Sequence, residues 1–88
     1  MMVKIWGKLI KNNKIIKQAV ASSDIHDTYQ ENLTECIVEL CYGFDIGKPY
    51  WLTKNADEYN KRYKTTFNVD NFIESIEFDK FIIEALEE

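Results

Sequence analysis

Residues 2–21 read Met-Val-Lys-Ile-Trp-Gly-Lys-Leu-Ile-Lys-Asn-Asn-Lys-Ile-Ile-Lys-Gln-Ala-Val-Ala, and this stretch decides the fold. Residues 2–11 alternate with the period of two that a strand requires. Asn12-Asn13 follows, and asparagine tolerates the positive φ that a two-residue type I′ turn demands. Residues 14–21 return as a second strand. A two-residue turn sets the register, so Lys11 is expected opposite Lys14, Leu9 opposite Ile16, Gly7 opposite Gln18 and Ile5 opposite Val20. One face of this β-hairpin then carries Val3, Ile5, Leu9, Ile16 and Val20, the expected core face. The other carries Lys4, Trp6, Lys8, Ile10, Ile15, Lys17 and Ala19, half basic and half apolar, which is unusual for a solvent face.

Beyond the hairpin the apolar period changes to that of a helix. Tyr29, Leu33, Cys36, Ile37, Leu40 and Phe44 fall within an arc of about 100°. Asp27 with Gln30 suggests a cap at the start, and Gly43 or Gly47 an end, with Pro49 beyond it. Tyr50-Trp51-Leu52 reads as an extended, packed segment. A second helix is expected from about Asn55 to Lys64, capped by Asn55 with Glu58 and docked by Tyr59 and Tyr63. Thr65-Thr66-Phe67 leads into a turn around Asn68 to Asn71, and Phe72-Ile73 reads as a helical turn or packed loop. Residues 76–86 read as a last strand, because Phe81, Ile82 and Ile83 favour β structure over the helical propensity of Ala85 and Leu86. The expected fold is α+β in the order ββααβ: a three-stranded antiparallel sheet with helices packed on one face, residues 1–88 forming a single domain.

The charge is unevenly distributed. Lys4, Lys8, Lys11, Lys14 and Lys17 stand in a first quarter without any acid, while all 15 carboxylates follow from Asp24 onward, for a net charge of −4. A C-terminal strand bearing Glu77, Asp79 and Glu84, set beside the hairpin, would form opposite-charge cross-strand pairs. Glu31, Glu35 and Glu39 repeat every four residues with no lysine partner on their helix.

The hydrophobic content of 45% suits a globular chain, and no apolar run approaches the roughly 20 residues of a membrane span. With no apolar leader segment, a cytoplasmic location and no membrane association are expected. Cys36 and Cys41, five apart on one helix, diverge too far to bridge and lack the spacing of a zinc or redox site.

Three segments carry a resemblance: the opening Met-Val-Lys-Ile-Trp-Gly-Lys-Leu-Ile-Lys; Tyr50-Trp51-Leu52-Thr53-Lys54-Asn55; and Thr66-Phe67-x-x-Asp70-x-Phe72-Ile73-Glu74 with Phe78-Asp79. Over nearly its whole length the chain resembles a group of small uncharacterised proteins of Firmicutes bacteria. The resemblance implies a short bacterial cytoplasmic protein and assigns no catalytic or binding residue.

The residues themselves point to no chemistry. His26, between Asp24 and Asp27, lacks a nucleophile placed by any motif and reads as a solvated junction residue. Asp70, Glu74, Glu77 and Asp79 fit no calcium loop, and Asp70 reads as a cap for the turn at Phe72. The three glycines are too scattered for a phosphate loop; Gly7, in mid-strand, suggests a bulge or a close approach by a ring or another chain. No metal or cofactor is expected. The expected site is an interaction surface formed by Lys4, Trp6, Lys8, Ile10, Ile15 and Lys17, with an apolar centre and a lysine rim. The leading reading is a non-enzymatic protein-interaction module, with self-association into a homodimer as one form. Nucleic-acid binding by the same basic hairpin face is the second, and an enzyme with an unrecognised site is the third.

Overall fold

Asn12 and Asn13 both adopt the left-handed backbone, φ 53° and 65°, and the hairpin closes through them as the sequence predicts. The computed structural model describes residues 2–86. Its strands β1 (Val3–Lys11) and β2 (Lys14–Ser23) are followed by α1 (Tyr29–Phe44), α2 (Thr53–Arg62), β3 (Lys64–Phe67), a 3-10 turn at Val69–Asn71 and β4 (Lys80–Ala85). The strands form one antiparallel sheet in the order β2-β1-β4-β3. The fold is α+β, but with four strands rather than three.

The additional strand is β3, which the sequence reading assigns partly to the second helix. Two positions decide it. Tyr63 takes the left-handed conformation at φ 54° and returns its N–H to the Tyr59 carbonyl, ending α2 after Arg62. Thr65 and Phe67 then point into the core while Thr66 stays half-exposed. Both helices also begin elsewhere than expected. Thr28, not Asp27, caps α1 by accepting from the Glu31 N–H. Asn55 lies inside α2, three residues past the cap at Leu52, and accepts the Leu52 N–H at 3.0 Å. Asp45, in the left-handed region, ends α1 in place of either glycine.

The hairpin register holds at Lys11–Lys14 and then slips. A β-bulge between Leu9 and Ile10 sets Leu9 opposite Lys17, Gly7 opposite Ala19, Trp6 opposite Val20 and Ile5 opposite Ala21. A one-residue slip turns every later side chain to the other face. Ile16 and Val20, expected in the core, are therefore half-exposed, and Ala21 and Ser23 are buried instead. Lys17 moves to the helix side, where its Nζ donates to the Phe44 carbonyl at 3.3 Å. The physical reason is space under α1. That helix crosses β1 and β2 where Gly7, Ala21 and Ser23 present little bulk. A Cβ on Gly7 would lie 2.9 Å from Leu40 Cδ1 and 3.2 Å from the Phe81 ring. Gly7 thus marks a close approach of helix and ring to the sheet.

The core lies between the sheet and α1, with Val3, Ile5, Leu9, Phe81, Ile83 and Phe67 below and Leu33, Cys36, Leu40 and Phe44 above. This is the apolar arc expected on α1, with Tyr29 and Ile37 half-buried at its side. Three fully buried asparagines fasten the connections. Asn32 holds the β2–α1 junction through Ser23, Thr28 and His26. Asn55 and Asn71 bond each other at 2.9 Å, tying α2 and β3 to the turn before β4.

Candidate functional site

Helices cover one face of the sheet. The opposite face is built by alternate residues of all four strands. Cross-strand partners share a face, so Lys4 lies beside Ser22, Trp6 between Val20 and Glu84, Lys8 between Gln18 and Ile82, and Ile10 between Ile15 and Lys80. Lys64 and Thr66 extend this face on β3, opposite Glu84 and Ile82. Five of the six residues expected there, Lys4, Trp6, Lys8, Ile10 and Ile15, come together as predicted. Lys17 does not, because the bulge turns it to the helix side of the sheet, where it reaches the end of α1.

The centre of the face is ordered by specific contacts. The Trp6 indole N–H donates to Gln18 Oε1 at 3.1 Å, fixing the ring across β1 and β2. The Lys8 ammonium lies 4.0 Å from the Trp6 ring centroid and 3.8 Å from a Glu84 carboxylate oxygen. Its side chain is only 12% exposed. Lys64 approaches the same carboxylate at 4.0 Å. The cross-strand charge pairing expected between the hairpin and the last strand is thus present at Glu84. Around this centre Ile15 and Val20 leave 47% and 53% of their surface to solvent. Lys4 and Lys80 stand exposed at its margins.

Val20, Ile82, Gln18 and Glu84 belong to this face and were absent from the expected set. For the two β2 residues the bulge hid the assignment. For Ile82 and Glu84 the alternation of Lys80-Phe81-Ile82-Ile83-Glu84 held the signal, since odd positions fill the core.

The chemically reactive side chains lie apart from one another. His26 Nε2 is 3.1 Å from Glu35 Oε1, and its backbone N–H and C=O both bond Asn32, so His26 closes the junction between β2 and α1. Both cysteines are free and buried. Burial above all, then the nearby Glu39 and Glu35, pushes the Cys36 thiol up to about 11. Burial likewise pushes Cys41 up to about 11 against the opposing pull of Lys48. Neither supplies a thiolate nucleophile near neutrality. Asp70, Glu74, Glu77 and Asp79 do not converge, and no metal-holding cluster forms among the described residues. Asp79 accepts the Asn12 N–H at the hairpin turn. At the other turn it is Asn68, not Asp70, that caps, by accepting the Asp70 N–H. A cleft of about 540 Å³ opens between α1 and α2, lined by Tyr29, Ile37, Trp51, Tyr59 and Tyr63. At its base the Tyr29 and Tyr59 hydroxyls bond each other at 2.7 Å. No helix among the described residues is long and apolar enough to cross a membrane. No family model, curated protein or solved structure matches the chain.

Proposed function

We propose that this protein is a non-enzymatic protein-interaction module that works through the helix-free face of its sheet. The observation that carries the reading is that face itself, where Trp6, Ile10, Ile15, Val20 and Ile82 cross β2, β1 and β4 beneath a margin of lysines. An apolar centre with a polar rim is the anatomy of a protein contact. A tryptophan held in one orientation by Gln18 suits an anchor residue, because it gives up little freedom on binding.

The same geometry weighs against nucleic acid as the partner. Lys8 is spent on Glu84 and on the Trp6 ring, and the ammonium occupies a ring face on which a base would stack. Fewer free cations remain than the five N-terminal lysines suggested.

The test is a pull-down with the wild type and a Trp6→Asp/Ile15→Asp variant, with circular dichroism to show that the variant keeps its fold. Binding partners retained by the wild type and lost by the variant are the expected result. A variant that keeps every partner refutes the reading. A gel shift with single-stranded nucleic acid at about 50 and 200 mM salt is the second arm. Binding that falls steeply with salt would replace the proposal with phosphate recognition.

A further inference from the structure

The two edges of the sheet are not equivalent. At β3 the strand is four residues long, and its outward carbonyl at Thr66 accepts from Asn55 Nδ2 at 3.1 Å. α2 thus covers part of that short edge. The β2 edge is ten residues long.

The direction of its peptide groups follows from the ladder. Lys4 and Ile10 send their carbonyls toward the β4 side, where Leu86 and Asp79 donate to them. Peptide groups alternate in direction along an antiparallel strand, so those of Ile5 and Gly7 face β2. The groups of their β2 partners Ala21 and Ala19 face back. Gln18, Val20 and Ser22 therefore turn their N–H and C=O outward, and no backbone group among the described residues bonds them.

Edge strands are commonly guarded by charge, proline or a bulge. Here Lys14, Lys17 and the bulge guard the first half of β2, whereas Gln18–Ser22 has no charge and no proline.

We propose that two copies of this chain pair antiparallel along Gln18–Ser22, joining their sheets edge to edge into one sheet of eight strands. The register places Val20 at the two-fold axis opposite its own counterpart, and Gln18 opposite Ser22 of the second copy, so that each outward N–H meets an outward C=O. Val20 lies beside Trp6 on the helix-free face, so the apolar centres of the two faces become continuous.

Charge selects a second copy as the occupant. Antiparallel pairing keeps the lysines of the two strands apart and brings Lys17 opposite Ser23 of the second copy. Ser23 bonds Asn32, one helical turn from Glu35 on the acidic side of α1. The lysine-rich end of each β2 thus meets the acidic stripe of the other chain.

This proposal rests on the interaction reading above and names its partner. The test is sedimentation equilibrium of the wild type, Val20→Pro and Trp6→Asp, with disulfide trapping of Val20→Cys and Gln18→Cys under oxidised glutathione. Proline at position 20 removes an outward N–H and leaves the β1 ladder intact. At the two-fold axis the paired Cα atoms lie about 5.5 Å apart, within reach of a disulfide, whereas two copies of residue 18 lie about 14 Å apart. Both native thiols are buried. The expected result is a wild-type dimer, dimerisation weakened at least about tenfold by Val20→Pro, and a linked dimer from Val20→Cys but not Gln18→Cys.

A wild type that stays monomeric to about 1 mM, or equal trapping of both cysteine variants, overturns edge pairing. Loss of the dimer with Trp6→Asp but not with Val20→Pro also overturns it, by placing the second copy on the face. Edge pairing and the wider reading fail separately, because Trp6-dependent capture of a different protein would survive the first of these results.

Discussion

Replacing Asn55 with alanine tests whether buried amide bonds, more than apolar burial, hold the second half of the fold. The side chain is fully buried and makes four hydrogen bonds. Its Oδ1 accepts from the Leu52 N–H at 3.0 Å and from Asn71 Nδ2 at 2.9 Å. Its Nδ2 donates to Thr65 Oγ1 at 2.8 Å and to the Thr66 carbonyl at 3.1 Å. Asn55→Ala leaves two donors and the Thr66 carbonyl without their partner. An unsatisfied buried group costs about 1–3 kcal/mol; crediting water entry at the half-buried Leu52 and Thr66 groups, the loss is about 3 kcal/mol. A domain of this length has roughly 4–13 kcal/mol in all. In urea, with a slope near 1 kcal/mol/M, the unfolding midpoint should fall by about 3 M. Asn55→Leu fills the volume but satisfies none of the groups, and should be no more stable than alanine. A loss below about 1 kcal/mol for Asn55→Ala, or a leucine variant equal to the wild type, would refute the reasoning and return the stability to apolar packing.

Further outcomes follow from the same geometry. Gly7→Ala should lose about 1–2 kcal/mol in thermal unfolding, because strain against Leu40 and Phe81 outweighs the roughly 0.5–1 kcal/mol that removing a strand glycine usually gains. Adding Leu40→Ala should make the glycine substitution cheaper, a coupling measurable in a double-mutant cycle. Cys36 and Cys41 should resist a thiol reagent at pH 8 in the folded chain and react once it is unfolded in urea. Their thiols ionise near 11 when folded and near 8.5–9 when unfolded. The unfolded chain therefore releases protons first, so stability should fall as pH rises from about 9 to 11, and a Cys36→Ala/Cys41→Ala variant should show a flatter profile.

Where one physical preference dominated, the sequence was readable. Asn12-Asn13 specified the turn because few residue pairs accept positive φ twice, and the 3.6-residue period of α1 survived intact because its arc has no competing face. The β2 pattern was ambiguous: Ile15-Ile16 is a pair of equivalent apolar residues, and either can face the core. The bulge settles the choice, turning the small Ala21 and Ser23 toward α1 and Val20 away from it. Nothing local to β2 encodes that. β3 was hidden for a similar reason, since a four-residue strand is defined by its neighbour β4 and by the left-handed Tyr63. The burial of the asparagines is not legible in the sequence: Asn55 reads as a helix cap and Asn71 as a turn residue, because an amide reads as surface until its partners are known. Lys4, Trp6, Lys8 and Ile10 follow from the alternation of β1 alone, and Ile15 joins them because it precedes the bulge on β2. Lys17 was lost to the bulge.

The uneven charge takes on a different meaning once the strand order is known. On the β4 side of the hairpin the basic strand finds its counter-charge inside the chain, at Glu84, which serves Lys8 and Lys64 together. These contacts are partly exposed and each contributes no more than about 1 kcal/mol, yet they offset part of the positive charge on that side. On the β2 side no acid is available within the sheet, because β2 is itself part of the acid-free quarter. Lys14 and the guarding bulge stand at one end of that strand. At the other, Glu35 is shared with His26, and Glu31 and Glu39 lie exposed on α1. A strand basic at one end, with acid alongside the other, repels a parallel copy of itself and attracts an antiparallel one. Such a charge layout governs orientation and rate of encounter more than affinity. Affinity along this edge would have to come from the outward peptide groups of Gln18, Val20 and Ser22, and from Val20 meeting its counterpart beside Trp6.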